Sequence, residues 1–195
     1  RNPLTNISLA SEQLKEITSR NDEGDLLLDM IGRNVNRINQ LVSDLLNSTR
    51  FEQLEYKPAN IHEVLDEALE QARDRIELNH IQVEKHYDDN ICEIMLDKDK
   101  IRLAFLNIIV NAIEAMENDS GVLKIKTSKR GNKCLVEFND NGTGMDEETL
   151  QKLFEPYFTK KIKGNGLGLT NTQNIILNHK GNINVRSSTG QGSSF

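Results

Sequence analysis

Leu103-Ala-Phe-Leu-Asn-Ile-Ile-Val-Asn-Ala-Ile-Glu-Ala-Met116 is the stretch from which the fold of this chain is read. Leu103, Phe105, Leu106, Ile108, Ile109, Val110, Ile113 and Met116 leave almost no polar face, so the segment reads as a helix buried on most sides. Asn107, Asn111 and Glu114 recur at i, i+4 and i+7, which stacks three polar tips along one line of that helix. A buried amide without a partner costs about 1–3 kcal/mol, so the two asparagines need something to bond. Two answers stand at this point. The amides tie down a neighbouring loop, or they face a cavity that takes phosphate and a hard cation, for which amide oxygens are suitable ligands.

Working outward, 195 residues suffice for a sizeable core in one or two domains. With 36% hydrophobic and 28% charged residues the composition is globular rather than disordered. A formal charge of −6 argues against nucleic acid as the main partner, since no basic face is present to release counterions. Cys92 and Cys134, the only two cysteines, fall in alternating segments and read as small core residues. No apolar run approaches the roughly 20 residues needed to cross a bilayer, and no signal peptide is visible, so no membrane contact is expected of these residues. The sequence opens on Arg1-Asn-Pro-Leu-Thr5 without an initiator methionine and closes on Ser193-Ser-Phe195, where a strand begins. The expectation is a piece of a longer protein, with any membrane or sensing segment upstream.

Residues 4–19 carry Leu4, Ile7, Leu14 and Ile17 at helical spacing. Arg20-Asn-Asp-Glu-Gly-Asp25 reads as a polar turn, and a longer helix follows to about Leu54. In it Ile31, Val35, Ile38, Val42 and Leu45 alternate steps of four and three, the seam of a coiled coil or four-helix bundle. One hairpin buries too little of such a seam, so a homodimer giving two hairpins is expected, with a packed intramolecular core as the alternative. After Tyr56-Lys-Pro58 the pattern changes, which places the domain boundary between residues 1–56 and 57–195.

The second part opens with an amphipathic helix carrying Ile61, Val64, Leu65, Ala68, Leu69, Ala72 and Ile76, on which His62 is expected at the solvent edge. Strands are expected at Ile81–Tyr87, Ile91–Leu96, Val122–Thr127, Cys134–Asn139 and Ile183–Arg186, with Asp97 as N-cap of the opening helix. His80, His86 and His179 lie near segment ends without ligand spacing. The fold class is α+β: a helical hairpin, then one mixed sheet covered by helices on one face.

Three glycine-rich loops follow the central helix. Asn139-Asp-Asn-Gly-Thr-Gly-Met145 leaves a strand, where Asp140 can accept a hydrogen bond from an exocyclic amine and two glycines allow close approach. Leu153-Phe-Glu-Pro-Tyr-Phe-Thr-Lys-Lys161 leads into Gly164-Asn-Gly-Leu-Gly-Leu169, ahead of the helical stretch Thr170–Asn178. Glycines before a helix N-terminus present backbone amides and a positive dipole end to an anion. Gly190-Gln-Gly-Ser-Ser-Phe195 adds another turn.

The order of these motifs resembles the catalytic ATP-binding domain of sensor histidine kinases, a Bergerat-fold α/β sandwich shared with gyrase-type ATPases. Arg1-Asn2-Pro3-Leu4 is similar to the end of their His-Glu-x-Arg-Asn-Pro-Leu motif, in the dimerisation and histidine-phosphotransfer hairpin. The resemblance implies that Asn111 gives its carbonyl oxygen to Mg2+ and that Asn107 helps hold metal and phosphates. It implies that Asp140 reads adenine, with Gly142 and Gly144 making room. Lys161, with Lys160, would reach the phosphates of ATP from a lid over 159–163. Gly164, Gly166, Leu167 and Gly168 would wrap the triphosphate, and Phe154 and Phe158 would anchor the lid's base. Asn107 stands where gyrase-like relatives keep a water-activating glutamate, which fits transfer better than hydrolysis. Asn2 would orient water during dephosphorylation of the partner, and the acceptor histidine would lie about three residues upstream of Arg1. The implied whole is the cytoplasmic core of a two-component histidine kinase with a response-regulator receiver domain as partner. Two rivals are a nucleotide-gated phosphatase or scaffold, and a serine kinase of the anti-sigma type, which lacks the hairpin.

Overall fold

In a computed structural model of the chain, the residues described are 7, 24, 28–35, 38, 54–91, 93–116, 120–161 and 165–195. The chain divides into two units, Arg1–Glu52 and Gln53–Phe195. In the first, the described residues are helical, Gly24 included, although 20–25 is expected to turn. Leu28 and Val35, seven apart, are buried, whereas Ile31 and Ile38 stay 42% and 44% exposed. One side of the seam is thus covered within the chain, and the other is open.

The second unit starts with a short strand β1 (Lys57–Ala59), helices α1 (Ile61–Gln71) and α2 (Arg73–Leu78), and strands β2 (Gln82–His86) and β3 (Ile94–Leu96). It continues with α3 (Lys98–Ala115), β4 (Val122–Arg130), β5 (Lys133–Asp140), α4 (Glu147–Lys152), α5 (Gly168–Asn178), β6 (Arg186–Ser187) and β7 (Ser193–Ser194). α3 forms as its pattern demands. Asp97 caps it by accepting the Lys100 amide at 3.1 Å, and Ile101, Ala104, Phe105, Ile108, Ile109, Ala112 and Ile113 are buried. Leu103 departs from the expectation and is 45% exposed. α1 is capped by Asn60, whose side chain accepts the His62 amide. The expected single helix through Ile76 breaks at Ala72, whose amide is shared between the carbonyls of Ala68 and Leu69, a local tightening of the turn.

Five strands form one mixed sheet in the order β2-β4-β5-β7-β6. β2 runs parallel to β4, with Gln82 opposite Val122, while β4 and β5 form an antiparallel hairpin closed at Arg130–Lys133. Gly131 in that two-residue turn has φ of 61°, a conformation cheap for glycine. Leu123, Ile125 and Thr127 point into the core and alternate with exposed Lys124 and Lys126, so a single face is covered. α3 packs between α1 and α5 over that face. Leu65, Ile109, Leu123 and Ile125 are fully buried, and the rings of Phe105 and Phe138 meet at 5.4 Å.

Two expectations on strands need correction. Among the described residues of Ile91–Leu96 none joins the main sheet: Ile94–Leu96 is the strand, and it pairs antiparallel with β1. Of Ile183–Arg186 only Arg186 enters a ladder, because its partner β7 offers no more than two paired residues. β7 itself is the strand expected to begin at Ser193, and it lies between β5 and β6.

At the far end of α5 a small polar clasp closes the unit. His179 Nε2 accepts the Asp97 amide at 3.0 Å and its Nδ1 faces the Ile175 carbonyl at 2.7 Å, which requires the proton on Nδ1. Asp97 also accepts the Glu55 amide at 3.1 Å, and the Tyr56 hydroxyl donates to the Asn178 carbonyl at 2.8 Å. His62, expected at the solvent edge, is instead half-buried, stacked on Tyr87 at 4.6 Å and bonded to buried Thr127 at 3.0 Å. Burial, with the Asp66 carboxylate beside it, holds the Tyr87 hydroxyl well above its usual range. Among the described residues no helix is long and apolar enough to cross a membrane.

Candidate functional site

The cleft is built where β5 ends, α3 passes and α5 begins. β5 delivers Asp140 at its last residue, and the chain then turns through Asn141, Gly142, Thr143 and Gly144. A Cβ on Gly142 would lie 2.6 Å from the Ala115 carbonyl oxygen, and one on Gly144 would lie 2.0 Å from that of Ser188. Gly144 also has φ of +67°. Both positions therefore require glycine before any ligand is considered.

Asp140 is buried, and its Oδ1 accepts the amides of Gly142 at 2.9 Å and Ser193 at 3.1 Å. Burial raises its pKa, against the opposing pull of these bonds. The two amides fix the plane of the carboxyl group. The second oxygen accepts from no other described residue, so it suits a ligand's amine.

Asn111 and Glu114 face the same space from α3, and Lys160 and Lys161 from the segment after Phe158. Lys161 Nζ donates to Asn111 Oδ1 at 2.7 Å and pairs with Glu114 Oε2. Lys160 pairs with Asp146 at 2.8 Å, and this contact, with the hydrogen bonds from Thr149, holds the Asp146 carboxyl far below the usual range. Gly166 closes the return of that segment. It has φ of +65°, its carbonyl accepts the Tyr157 amide at 3.0 Å, and a Cβ there would meet the Tyr157 carbonyl carbon at 2.4 Å. α5 then begins at Gly168, two residues before the stretch read from sequence, and no side chain caps it. Its first-turn amides have no partner inside the helix.

These elements enclose a cleft of about 630 Å³. It brings together Asn111, Asp140, Gly144, Phe158, Lys160, Lys161, Gly166 and Gly168 of the residues expected from sequence. Four others stand apart. Asn107 does not line it; its amide reaches the Gly168 carbonyl at 3.4 Å, so it ties α3 to the first residue of α5. Of the two asparagines, Asn107 thus ties elements together, while Asn111 faces the cleft. Gly142 lines a smaller adjoining hollow of about 240 Å³. Leu167 is buried as the N-cap of α5, and Phe154 lies beneath, its carbonyl accepting the Thr170 hydroxyl at 3.0 Å. Asn2 and Gly164 lie outside the described residues.

Sequence reading missed Thr143, Asp146, Thr149, Asn165, Thr189 and Ser193, all at the cleft. Asp146 carried a signal: it is an N-cap, accepting the Thr149 amide at 2.8 Å. Ser193 carried none, because its role comes from β7 pairing beside Asp140.

Comparison with known proteins places the two units. Residues 96–195 match the family described as histidine kinase-, DNA gyrase B- and HSP90-like ATPase, and residues 1–54 match the His Kinase A (phospho-acceptor) domain. The sensor histidine kinase ZraS of Klebsiella oxytoca is 32% identical over 196 residues, covering all of this chain and 42% of that protein. Sporulation kinase C of Bacillus subtilis is also 32% identical, over all of this chain and 45% of its own length. The chain therefore spans less than half of the curated relatives it matches. Among solved structures, the catalytic domain of histidine kinase ThkA aligns with a TM-score of 0.66 at 28% identity, over 73% of this chain and 93% of that one. ThkA in complex with the response regulator protein TrrA covers the whole chain and 56% of the other, with a TM-score of 0.71 at 24% identity.

Proposed function

The chain belongs to the histidine kinase-, DNA gyrase B- and HSP90-like ATPases, with a His Kinase A domain ahead of the ATPase domain, and on that footing we propose that it is the core of a two-component sensor kinase. It moves the γ-phosphoryl group of ATP to a histidine, and from there to an aspartate of a response regulator. The observation that carries this reading is the meeting of Asn111 and Asp140 in one cleft with two lid lysines and a bare helix N-terminus.

The donor set fits a magnesium nucleotide. A buried carboxyl with a fixed plane suits the exocyclic amine of adenine, and Gly166 and Gly168 bring backbone close to where an anion would lie. Asn111 Oδ1 is the oxygen offered to Mg2+, with Asn107 tying the middle of α3 to the first residue of α5. Magnesium, when bound, supplies positive charge against the triphosphate. The chain's own residues then orient the nucleotide, and Lys160 and Lys161 add cationic donors at the lid. Catalysis on this plan is positioning and electrostatics. An amide at Asn107 cannot take a proton from water, which favours transfer to a protein side chain over hydrolysis.

This reading puts the accepting imidazole upstream of Arg1; it is supported by the lack of histidine in residues 1–54 and by the hold of Thr127 and Tyr87 on His62. Asn2 would orient water when the regulator is dephosphorylated, and the regulator would dock against the first helix. Exposed Ile31 and Ile38 favour a homodimer through residues 1–56, with the catalytic domain over 57–195. The test is a chain extended upstream of Arg1 and incubated with labelled ATP. Acid-labile phosphoprotein on the extended chain, and none on residues 1–195, is the expected outcome. Stable label on residues 1–195 alone, or none on either, overturns the assignment.

A further inference from the structure

Glu114 has no part in the scheme above, yet it sits at the cleft one helical turn after Asn111. Its Oε2 pairs with Lys161, whose ammonium also bonds Asn111 Oδ1 at 2.7 Å. Its other oxygen, Oε1, lies 3.6 Å from Arg75 Nη1 of α2, which steadies the carboxylate from behind. An ammonium has three donors and no acceptor, so Glu114 and Asn111 take two of the three.

We propose that Glu114 is a positioning residue that holds Lys161 against Asn111, so that this ammonium competes with nucleotide and cation for the cleft. The inference rests on the nucleotide reading of the site. Two points of chemistry carry it. A magnesium ion on Asn111 Oδ1 would sit about 2.1 Å from an oxygen that already accepts Lys161, placing two positive centres within about 5 Å. That repulsion favours release of Lys161 from Asn111 as the ion binds. The Glu114 carboxylate is also the same kind of partner as a phosphate oxygen, so while the pair holds, one N–H of Lys161 is left for a phosphate and part of its charge is already offset. Nucleotide binding pays the free energy of an internal ion pair. Glu114 and Lys161 side chains are 43% and 44% exposed, so replacing either leaves the core intact.

The experiment is a double-mutant cycle on residues 1–195, reading the Kd of a non-hydrolysable ATP analogue by calorimetry over a series of Mg2+ concentrations. For a half-exposed pair, Glu114→Gln is expected to tighten Kd by about two- to five-fold and to lower the Mg2+ concentration needed for half-maximal binding. Glu114→Asp restores the wild-type values. In a Lys161→Met background the gain from Glu114→Gln shrinks to less than half. Unchanged or weaker binding by Glu114→Gln overturns the proposal. An equal gain with and without Lys161 also overturns it, since direct repulsion between carboxylate and phosphate then accounts for everything. If the wild-type chain binds no analogue, while remaining folded, the nucleotide reading itself falls.

Discussion

Replacing Asp140 by asparagine removes one oxygen from the site and leaves the frame standing. Oδ1 accepts the amides of Gly142 at 2.9 Å and Ser193 at 3.1 Å, and an asparagine carbonyl can accept both. Alanine would strand two amides next to a buried residue, at about 1–3 kcal/mol each, enough to confuse loss of binding with loss of fold. Asparagine instead turns the second oxygen into an NH2, which opposes the amine of adenine donor to donor. A hydrogen bond to a charged group contributes about 1.5–3 kcal/mol, so affinity for the ATP analogue is expected to fall by about 10- to 150-fold. Calorimetric titration measures it, with thermal melting of the same samples as the control for folding. A Kd within about two-fold of wild type, in a variant that melts normally, would refute the assignment of Asp140 as the adenine partner.

Other outcomes follow from the same geometry. Gly166→Ala forces a Cβ into a left-handed residue 2.4 Å from the Tyr157 carbonyl carbon and should cost at least about 1–2 kcal/mol in denaturant unfolding. Gly168→Ala meets nothing nearer than 3.9 Å, so stability should hold within about 0.5 kcal/mol while nucleotide affinity drops. His179→Ala strands the Asp97 amide and should lose about 1–3 kcal/mol of stability without a matching loss of affinity. Asp140 has its pKa raised by burial, so the folded state binds the proton more readily than the unfolded one, whose ordinary value is 3.8. Stability from that group is full below 3.8 and is lost as pH rises through the folded value, and Asp140→Asn removes that decline. Asp146 is lowered, chiefly by Lys160, so its contribution is present above 3.8 and is lost as pH falls; Asp146→Asn flattens that acid limb in a melting series.

What was legible in the sequence was local. α3 announced itself through a dense apolar period and an aspartate at its N-cap, and β4 through the alternation of Leu123, Ile125 and Thr127 with lysines. β1 was hidden by Pro58, which removes a ladder donor and argues against a strand; it survives in a sheet of only two strands. The pairing of β3 with β1 rather than with β2 depends on contacts between distant segments that no periodicity encodes. The site divides in the same way. Asn111, Asp140 and the glycines were visible as residue types fit for a nucleotide, and their order along the chain carried the resemblance. That Asn107 would turn to α5, that Lys161 would find Glu114, and that His179 would receive the Asp97 amide are facts of packing.

α5 joins two ends of the unit. Its eleven residues make a strut of about 16 Å. One tip is the floor on which an anion would rest, and the other, through Asn178 and His179, grips the threshold where the polypeptide enters the unit at Glu55 and Tyr56. The wall of the cleft and the entry of the chain into the unit are thus joined by one continuous element, hydrogen-bonded at its far tip.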